Sequence, residues 1–372
     1  MESRKVLKVR DITRLLEDWA PPVLQESYDN SGLLVGDLSA KVTKVLISLD
    51  CTEDVIAEAE KEGAELIISH HPIIFSGLKR LTGRTYVERT VQRAIKSGIS
   101  LYAIHTNLDN VVSGVNFELA TTLGCKPESL KILRPKSDLL HQVTVYCPSD
   151  HSERVREAMF KAGAGSVGDY DRCSFNLVGE GTFRPGSGSE PFVGKKGEDH
   201  TESETKIEVL VENTLSRSVV AAAANIHPYE EMAYFITPLE NKDKNIGAGM
   251  IGKLPNPMKW EEFLDKAKLS LKATHIKHTN PVSDLVSTIA VCGGSGSFLL
   301  RDAISKKADV FLTSDFKYHE FFDADGKILI ADVGHYESEW RTSSLIAKVI
   351  KQKFTKFAVR LASSNTNPVR IR

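Results

Sequence analysis

The chain has 372 residues, and the first informative thing about it is what it lacks. Its five cysteines (Cys51, Cys125, Cys147, Cys173 and Cys292) are scattered and form no C-x-x-C pair. An odd, dispersed set excludes a disulfide framework and removes the commonest thiolate zinc sites. No run approaches the roughly 18–20 apolar residues that span a bilayer. The opening MESRKVLKVRDITRLLEDWAPP is charged from its start and has no apolar secretory core. The expectation is a soluble, cytoplasmic protein. Formal net charge is only −1, so no global basic field favours nucleic acid or an anionic membrane surface.

What is present is globular: 41% hydrophobic and 26% charged residues, near the averages for folded domains. The length exceeds the roughly 100–200 residues of one domain, which implies two domains or one carrying an insertion. The first 125 residues alternate strand and helix signals. KVLISLD (Lys44–Asp50), ELIIS (Glu65–Ser69) and SLYAI (Ser100–Ile104) read as strands, and the spans 52–63 and 87–98 as helices. Near-continuous apolar strands alternating with helices predict a parallel sheet. The last 90 residues repeat this grammar, with strands at 285–291, 309–313, 327–333 and 357–362 and helices at 298–307 and 335–352. The middle reads β-α-β-β-α-β over 140–238, a ferredoxin-like pattern. Its central strands are separated by GSGSEPFVGKKGEDHTESE (Gly186–Glu204), a mobile loop by composition. A polar linker at 240–244 follows. The expected organisation is an α/β host, 1–129 with 244–372, interrupted by an inserted domain at 130–243.

Four clusters of titratable residues fall just beyond predicted parallel strands. They are His70-His71, His105 with Asp109, Ser314-Asp315 with His319, and His335 with Glu339. That edge is where open α/β sheets place ligands. His335 and Glu339, four apart at a helix start, share one face. His70 and His71 are adjacent, so their side chains diverge and suit different ions. Asp109 supplies a carboxylate. Three imidazoles and two anions with no sulfur suit two ions of zinc, iron or manganese. A lone histidine beside a strand is more often a surface or core residue, and an i, i+4 His/Glu pair is commonly a helix-surface pair. Joint placement at one edge favours the centre. His105 and His319 are candidates for proton transfer, or for a wall of the site. Gly293-Gly294-Ser295-Gly296-Ser297 lacks both G-x-G-x-x-G and a Walker lysine, so it reads as a tight strand–helix turn lining the metal cleft. His227-Pro228-Tyr229-Glu230-Glu231 reads as a structural turn, and His275 and His278 as solvated residues.

The motifs Asp29-Asn30-Ser31-Gly32, Ser69-His70-His71-Pro72, His105-Thr106-Asn107-Leu108-Asp109, Thr313-Ser314-Asp315-Phe316-Lys317-Tyr318-His319 and Gly334-His335-Tyr336-Glu337-Ser338-Glu339 resemble, in this order, the NIF-three-like family. Its members carry the name GTP cyclohydrolase 1 type 2 homologue. Thr313-Ser314-Asp315 departs from the usual Thr-Gly-Asp by one turn residue. Gly181-Thr182-Phe183-Arg184-Pro185 and His227-Pro228-Tyr229-Glu230-Glu231 look like the insert of longer bacterial members, similar to PII- and CutA-like proteins. The resemblance implies a three-layer α/β fold with parallel-strand βαβ halves interrupted by that α+β insert. It also implies a metal pair on His70, His71, Asp109, His335 and Glu339, with Glu339 bridging, inside a homohexamer of two stacked trimers. The implied activity is a metal-dependent hydrolase using a metal-activated water on GTP or another nucleotide-like substrate. The alternative is a non-enzymatic metal-binding, metal-delivery or regulatory protein.

Overall fold

A computed structural model describes residues 6–137 and 139–372. The chain divides into two compact units, 1–135 with 244–372, and 136–243. The first unit holds two sheets. One has the strand order Gly32–Val35, Ser100–Ala103, Leu66–Ser69, Lys44–Ser48, Ala358–Leu361. Its last four strands run parallel; three of them are apolar and buried as predicted, Ala358–Leu361 is a mostly exposed edge, and Gly32–Val35 adds an antiparallel edge on the other side. The chain's final strand therefore returns to the first sheet. Helices Glu53–Glu62 and Tyr86–Lys96 cover one face of that sheet, where Leu46, Ile67 and Leu101 meet Val55, Ile56, Val91 and Ala94. Thr52 caps the first of these helices and left-handed Gly63 ends it.

The other sheet runs Lys277–His278, Leu329–Asp332, Val310–Ser314, Leu285–Ser295, Asp243–Lys259, Lys131–Lys136. Its three middle pairings combine two parallel ladders with an antiparallel one against Asp243–Lys259. Helices Val115–Thr122 and Trp260–Leu271 pack on one face through Leu119, Leu123, Phe263 and Ala267. Helix Leu300–Ser305 and the turn Tyr318–Ala324 cover the other, around Phe311, Phe316 and Ile330. Two expectations change here. The single helix predicted over 335–352 is two, His335–Glu339 and Thr342–Lys353, interrupted at Trp340, whose indole is held by the carbonyl of Leu271 at 3.0 Å. The polar linker at 240–244 already contains the start of the strand Asp243–Lys259.

The second unit has a four-stranded antiparallel sheet, Phe175–Phe183, His200–Glu212, Leu140–Pro148, Tyr234–Leu239. Helices Ser152–Lys161 and Ser216–Ala224 bury Val143, Val145, Ile207 and Val209 against Val155, Met159 and Val219. Alternate residues of the two central strands, Val143 and Val145 with Ile207 and Val209, thus lie on the covered face. The predicted loop at 186–204 is shorter than expected, because its last residues, from His200, belong to a strand. Among the described residues, no helix is long and apolar enough to cross a membrane.

Candidate metal centre

The parallel strands of the first sheet end in Asp50, His70 with His71, and His105 with Asp109; those of the second end in Asp315 and His335 with Glu339. The first unit brings these ends together around Glu339, which is 3% exposed. Glu339 presents one oxygen to each half of the cluster. Its Oε1 faces His70 Nε2 at 3.8 Å, and His70 Nε2 lies 3.7 Å from Asp109 Oδ1. Its Oε2 lies 3.0 Å from His71 Nε2 and 3.1 Å from His335 Nε2. The donor atoms of His70, Asp109 and Glu339 fall within 4.8 Å of one another, as do those of His71, His335 and Glu339, and those of His70, His71 and His105.

Each imidazole is oriented from behind. His70 Nδ1–H donates to the Ile104 carbonyl at 2.8 Å, His71 Nδ1–H to Asp50 Oδ1 at 2.7 Å, and His335 Nδ1–H to Asp315 Oδ2 at 2.6 Å. His105 Nδ1–H donates to the buried Asp29 at 2.7 Å. These bonds fix the tautomers so that four Nε2 atoms point inward, the arrangement that metal-ligating histidines require. For His70 the consequence is sharp. Its Nε2 and Asp109 Oδ1 are both buried with no hydrogen-bond partner. Two buried polar atoms left without partners beside the Glu339 carboxylate are costly as they stand, and a shared cation would satisfy both.

The electrostatics carry the same sign. Burial and the Glu339 charge push Asp109 well above the usual carboxylate range. Burial would lower His71, but hydrogen bonds to Asp50 and Glu339 raise it to about 9. Burial would likewise lower His335, and the Glu339 charge with the Asp315 hydrogen bond raises it to about 11. Burial would raise Asp29, yet hydrogen bonds from His105 and Thr106 hold it well below its ordinary value. The neighbouring Cys292 thiol is pushed up by burial and by Asp109 and Glu339, which leaves it no competing thiolate.

The glycine-rich turn lines this centre. Gly294 has φ +61°, and a Cβ there would stand 2.4 Å from Glu339 Oε1. Its N–H donates to Ser338 Oγ, and that of Gly293 to Asn116 Oδ1, both at 2.9 Å. A cavity of about 570 Å³ opens beside His71, His105 and His335, walled by Phe75, Pro368 and Ile371. A smaller one of about 200 Å³ touches Asp109, Glu339 and Gly294.

All five expected ligands and His105 are thus brought together. His319 is not: it is exposed on the Tyr318–Ala324 turn, against Tyr318 and Phe322. His275 is exposed, though it reaches the larger cavity's wall. His227 is buried and donates from Nε2 to the Tyr146 carbonyl at 2.8 Å. Sequence reasoning missed Asp50 and gave Asp29 and Asp315 no role, although each ends or adjoins a strand carrying a recognised motif. It also missed the C-terminal tail, where Thr366 donates to Asp50 Oδ2 at 2.6 Å.

The family model Duf34/NIF3 (NGG1p interacting factor 3) matches residues 7–368. A Halalkalibacterium halodurans protein named GTP cyclohydrolase 1 type 2 homolog is 38% identical over 370 residues, covering 98% of this chain and 99% of its own. A Bacillus subtilis protein of the same name is 34% identical over 369 residues, covering 98% of each. The solved structure of a Bacillus cereus protein related to NIF3 superposes with a TM-score of 0.78 at 34% identity, over 99% of this chain and 100% of that one. The matches run through both units, so the chain belongs to the Duf34/NIF3 family.

Proposed function

We propose that the protein is a metal-dependent hydrolase built on a dinuclear centre. His70, Asp109 and Glu339 would hold one ion and His71, His335 and Glu339 the other, with Glu339 shared. The observation that carries this reading is the pair of buried atoms without partners, His70 Nε2 and Asp109 Oδ1, facing Glu339. The nitrogen and oxygen donors suit zinc, iron or manganese. Two such ions would supply Lewis acidity, lowering the pKa of a coordinated water and polarising the bond under attack.

The chain's own residues do the rest. Asp50, Asp315 and the Ile104 carbonyl hold the ligand rings in register. His105, anchored by Asp29 and lining both cavities, is positioned to take or return a proton at Nε2. The exposed His319 has no part in this scheme. Phe75 and the tail residues Pro368 and Ile371 give the larger cavity an apolar wall for a planar group. The name shared by its relatives makes GTP the first substrate to try, and a nucleotide-like molecule the class. Assembly as a homohexamer in the cytoplasm, with residues 136–243 as an inserted PII- or CutA-like domain, completes the reading.

The test is turnover by protein loaded with zinc, manganese or iron(II). Release of formate from GTP, or hydrolysis of another nucleotide, is expected. His105→Gln should retain its metal and lose roughly 10²–10⁴-fold in kcat. A fully loaded protein inert toward a nucleotide panel, yet passing metal to acceptor proteins, would establish the non-enzymatic metal-delivery alternative instead.

A further inference from the structure

The second unit holds a cavity of about 470 Å³ that the metal centre does not use. Five aromatic rings line it, those of Tyr146, Phe183, Phe192, Tyr229 and Phe235, and the Glu204 carboxylate stands among them. Phe183 and Phe192 pack on Tyr229 with centroids 5.8 and 6.3 Å apart, and Tyr146 packs on Phe235 at 6.1 Å. The lining carries no lysine, arginine or histidine, whereas Glu230 and Glu231 add acidic groups beside Glu204.

Three features mark the cavity as built and not incidental. Gly181 leaves the space that Glu204 occupies, because a Cβ there would stand 2.3 Å from Glu204 Oε2. The loop carrying Phe192 is fastened to the His227–Glu231 turn, since the Glu190 N–H donates to both Glu230 oxygens at 3.0 and 3.1 Å. The turn itself is fixed by His227, which accepts from the Tyr229 N–H at 3.1 Å while donating to the Tyr146 carbonyl. At the centre, the Tyr229 hydroxyl is buried beside the Glu204 carboxylate. Burial and the nearby Glu204 charge push its pKa above the ordinary phenol value, so it stays a neutral hydroxyl beside a carboxylate.

We propose that this aromatic, acid-walled cavity is a binding site for a small organic cation, an alkylammonium or guanidinium group carried on an apolar body. The ring faces present negative quadrupole density to a cation. Glu204 supplies the counter-charge, and the Tyr229 oxygen accepts from an N–H donor. An anion would meet three carboxylates and no cationic side chain in the lining. A neutral apolar ligand would strand Glu204 and the Tyr229 hydroxyl in a desolvated wall.

The test is calorimetric titration of the full-length protein with (2-hydroxyethyl)trimethylammonium and butylguanidinium, against the first cation's neutral isostere 3,3-dimethylbutan-1-ol and the anion 3,3-dimethylbutyrate. The cations should bind about tenfold more tightly than the neutral isostere, and the anion should give no binding heat. Glu204→Gln should cost the cations about tenfold and leave the neutral isostere unchanged. Phe183→Leu, which keeps apolar volume and removes a ring face, should weaken the cations alone, and near-UV circular dichroism checks the fold of both variants. The proposal is overturned if the neutral isostere binds as tightly as the cations, or if no probe binds up to millimolar concentration. Undiminished cation binding in both correctly folded variants overturns it too, as does binding of basic peptides without binding of either small cation.

Discussion

Each unit of this protein concentrates acidic side chains in a pocket, and the two do so by opposite means. In the first unit, carboxylates and imidazoles sit at the C-terminal ends of parallel strands, each ring backed by a carbonyl or carboxylate. In the second, carboxylates stand among aromatic rings with no histidine in the lining. The first set has lone pairs pointing inward, which suits a compact ion that forms coordinate bonds. The second offers ring faces and diffuse negative charge, which suits a large, weakly hydrated cation. Acid content alone does not separate them; what stands behind and between the acids does.

The sharpest way to break this comparison is Glu339→Gln. It removes the charge shared by both halves of the centre and should abolish metal binding and turnover together, while cation binding to the second unit is unchanged. Metal analysis and calorimetry on one preparation read both. Retention of full metal content would show that Glu339 is not the shared ligand. Next in size are Asp50→Asn and Asp315→Asn, which leave the ligands in place and loosen one ring each. Each should weaken metal affinity roughly 10–100-fold, measured by competition with a chelator.

Gly294→Ala tests the glycine turn. Its left-handed backbone costs a non-glycine residue about 1–2 kcal/mol, and the added methyl would press on Glu339 Oε1. Stability and metal affinity should both fall. Gly63→Ala is the control, with φ +66° and nothing within 4 Å of the new Cβ. It should lose similar stability in chemical denaturation with no change in metal affinity.

The smallest effect concerns the tail. Glu58 accepts from the N–H and hydroxyl of both Ser363 and Ser364, at 2.7–2.9 Å. Burial would raise its pKa, but these bonds hold it below the ordinary value. A carboxylate depressed in the folded state contributes stability above its unfolded pKa of roughly 4.3, and that contribution is lost as pH falls through the depressed value. Protection factors for hydrogen exchange over 363–371, corrected for intrinsic rates, should therefore fall in that acidic window. In Glu58→Gln they should be lower already at neutral pH, at a cost below about 1 kcal/mol.

The two units were not equally legible in the sequence. Parallel strands deliver their ends to one edge, so ELIIS followed by His-His and KILIADV followed by Gly-His announce a site without any contact being known. All five proposed ligands were accessible this way. Asp50 ends a strand in the same fashion but lacks a neighbouring histidine to draw notice. His319 satisfied the pattern and failed in space, because the Tyr318–Ala324 turn carries it to the surface. The second unit's elements were visible from alternation, yet its cavity was not. Tyr146, Phe183, Phe192, Tyr229 and Phe235 come from three strands and two loops, with no period to betray a shared wall. Composition read 186–204 as a mobile loop and gave no sign of the Glu190–Glu230 hydrogen bonds that tie it to the 227–231 turn. The tail's bond to Asp50 is a tertiary accident of a strand returning to the first sheet, which no local pattern encodes.

The most direct test is metal stoichiometry by mass spectrometry of elements in the purified, metal-loaded protein and in its Asp109→Asn and Glu339→Ala variants. The account predicts two ions per chain in the natural sequence, one in Asp109→Asn and none in Glu339→Ala. A single ion in the natural sequence, retained after either substitution, would contradict it.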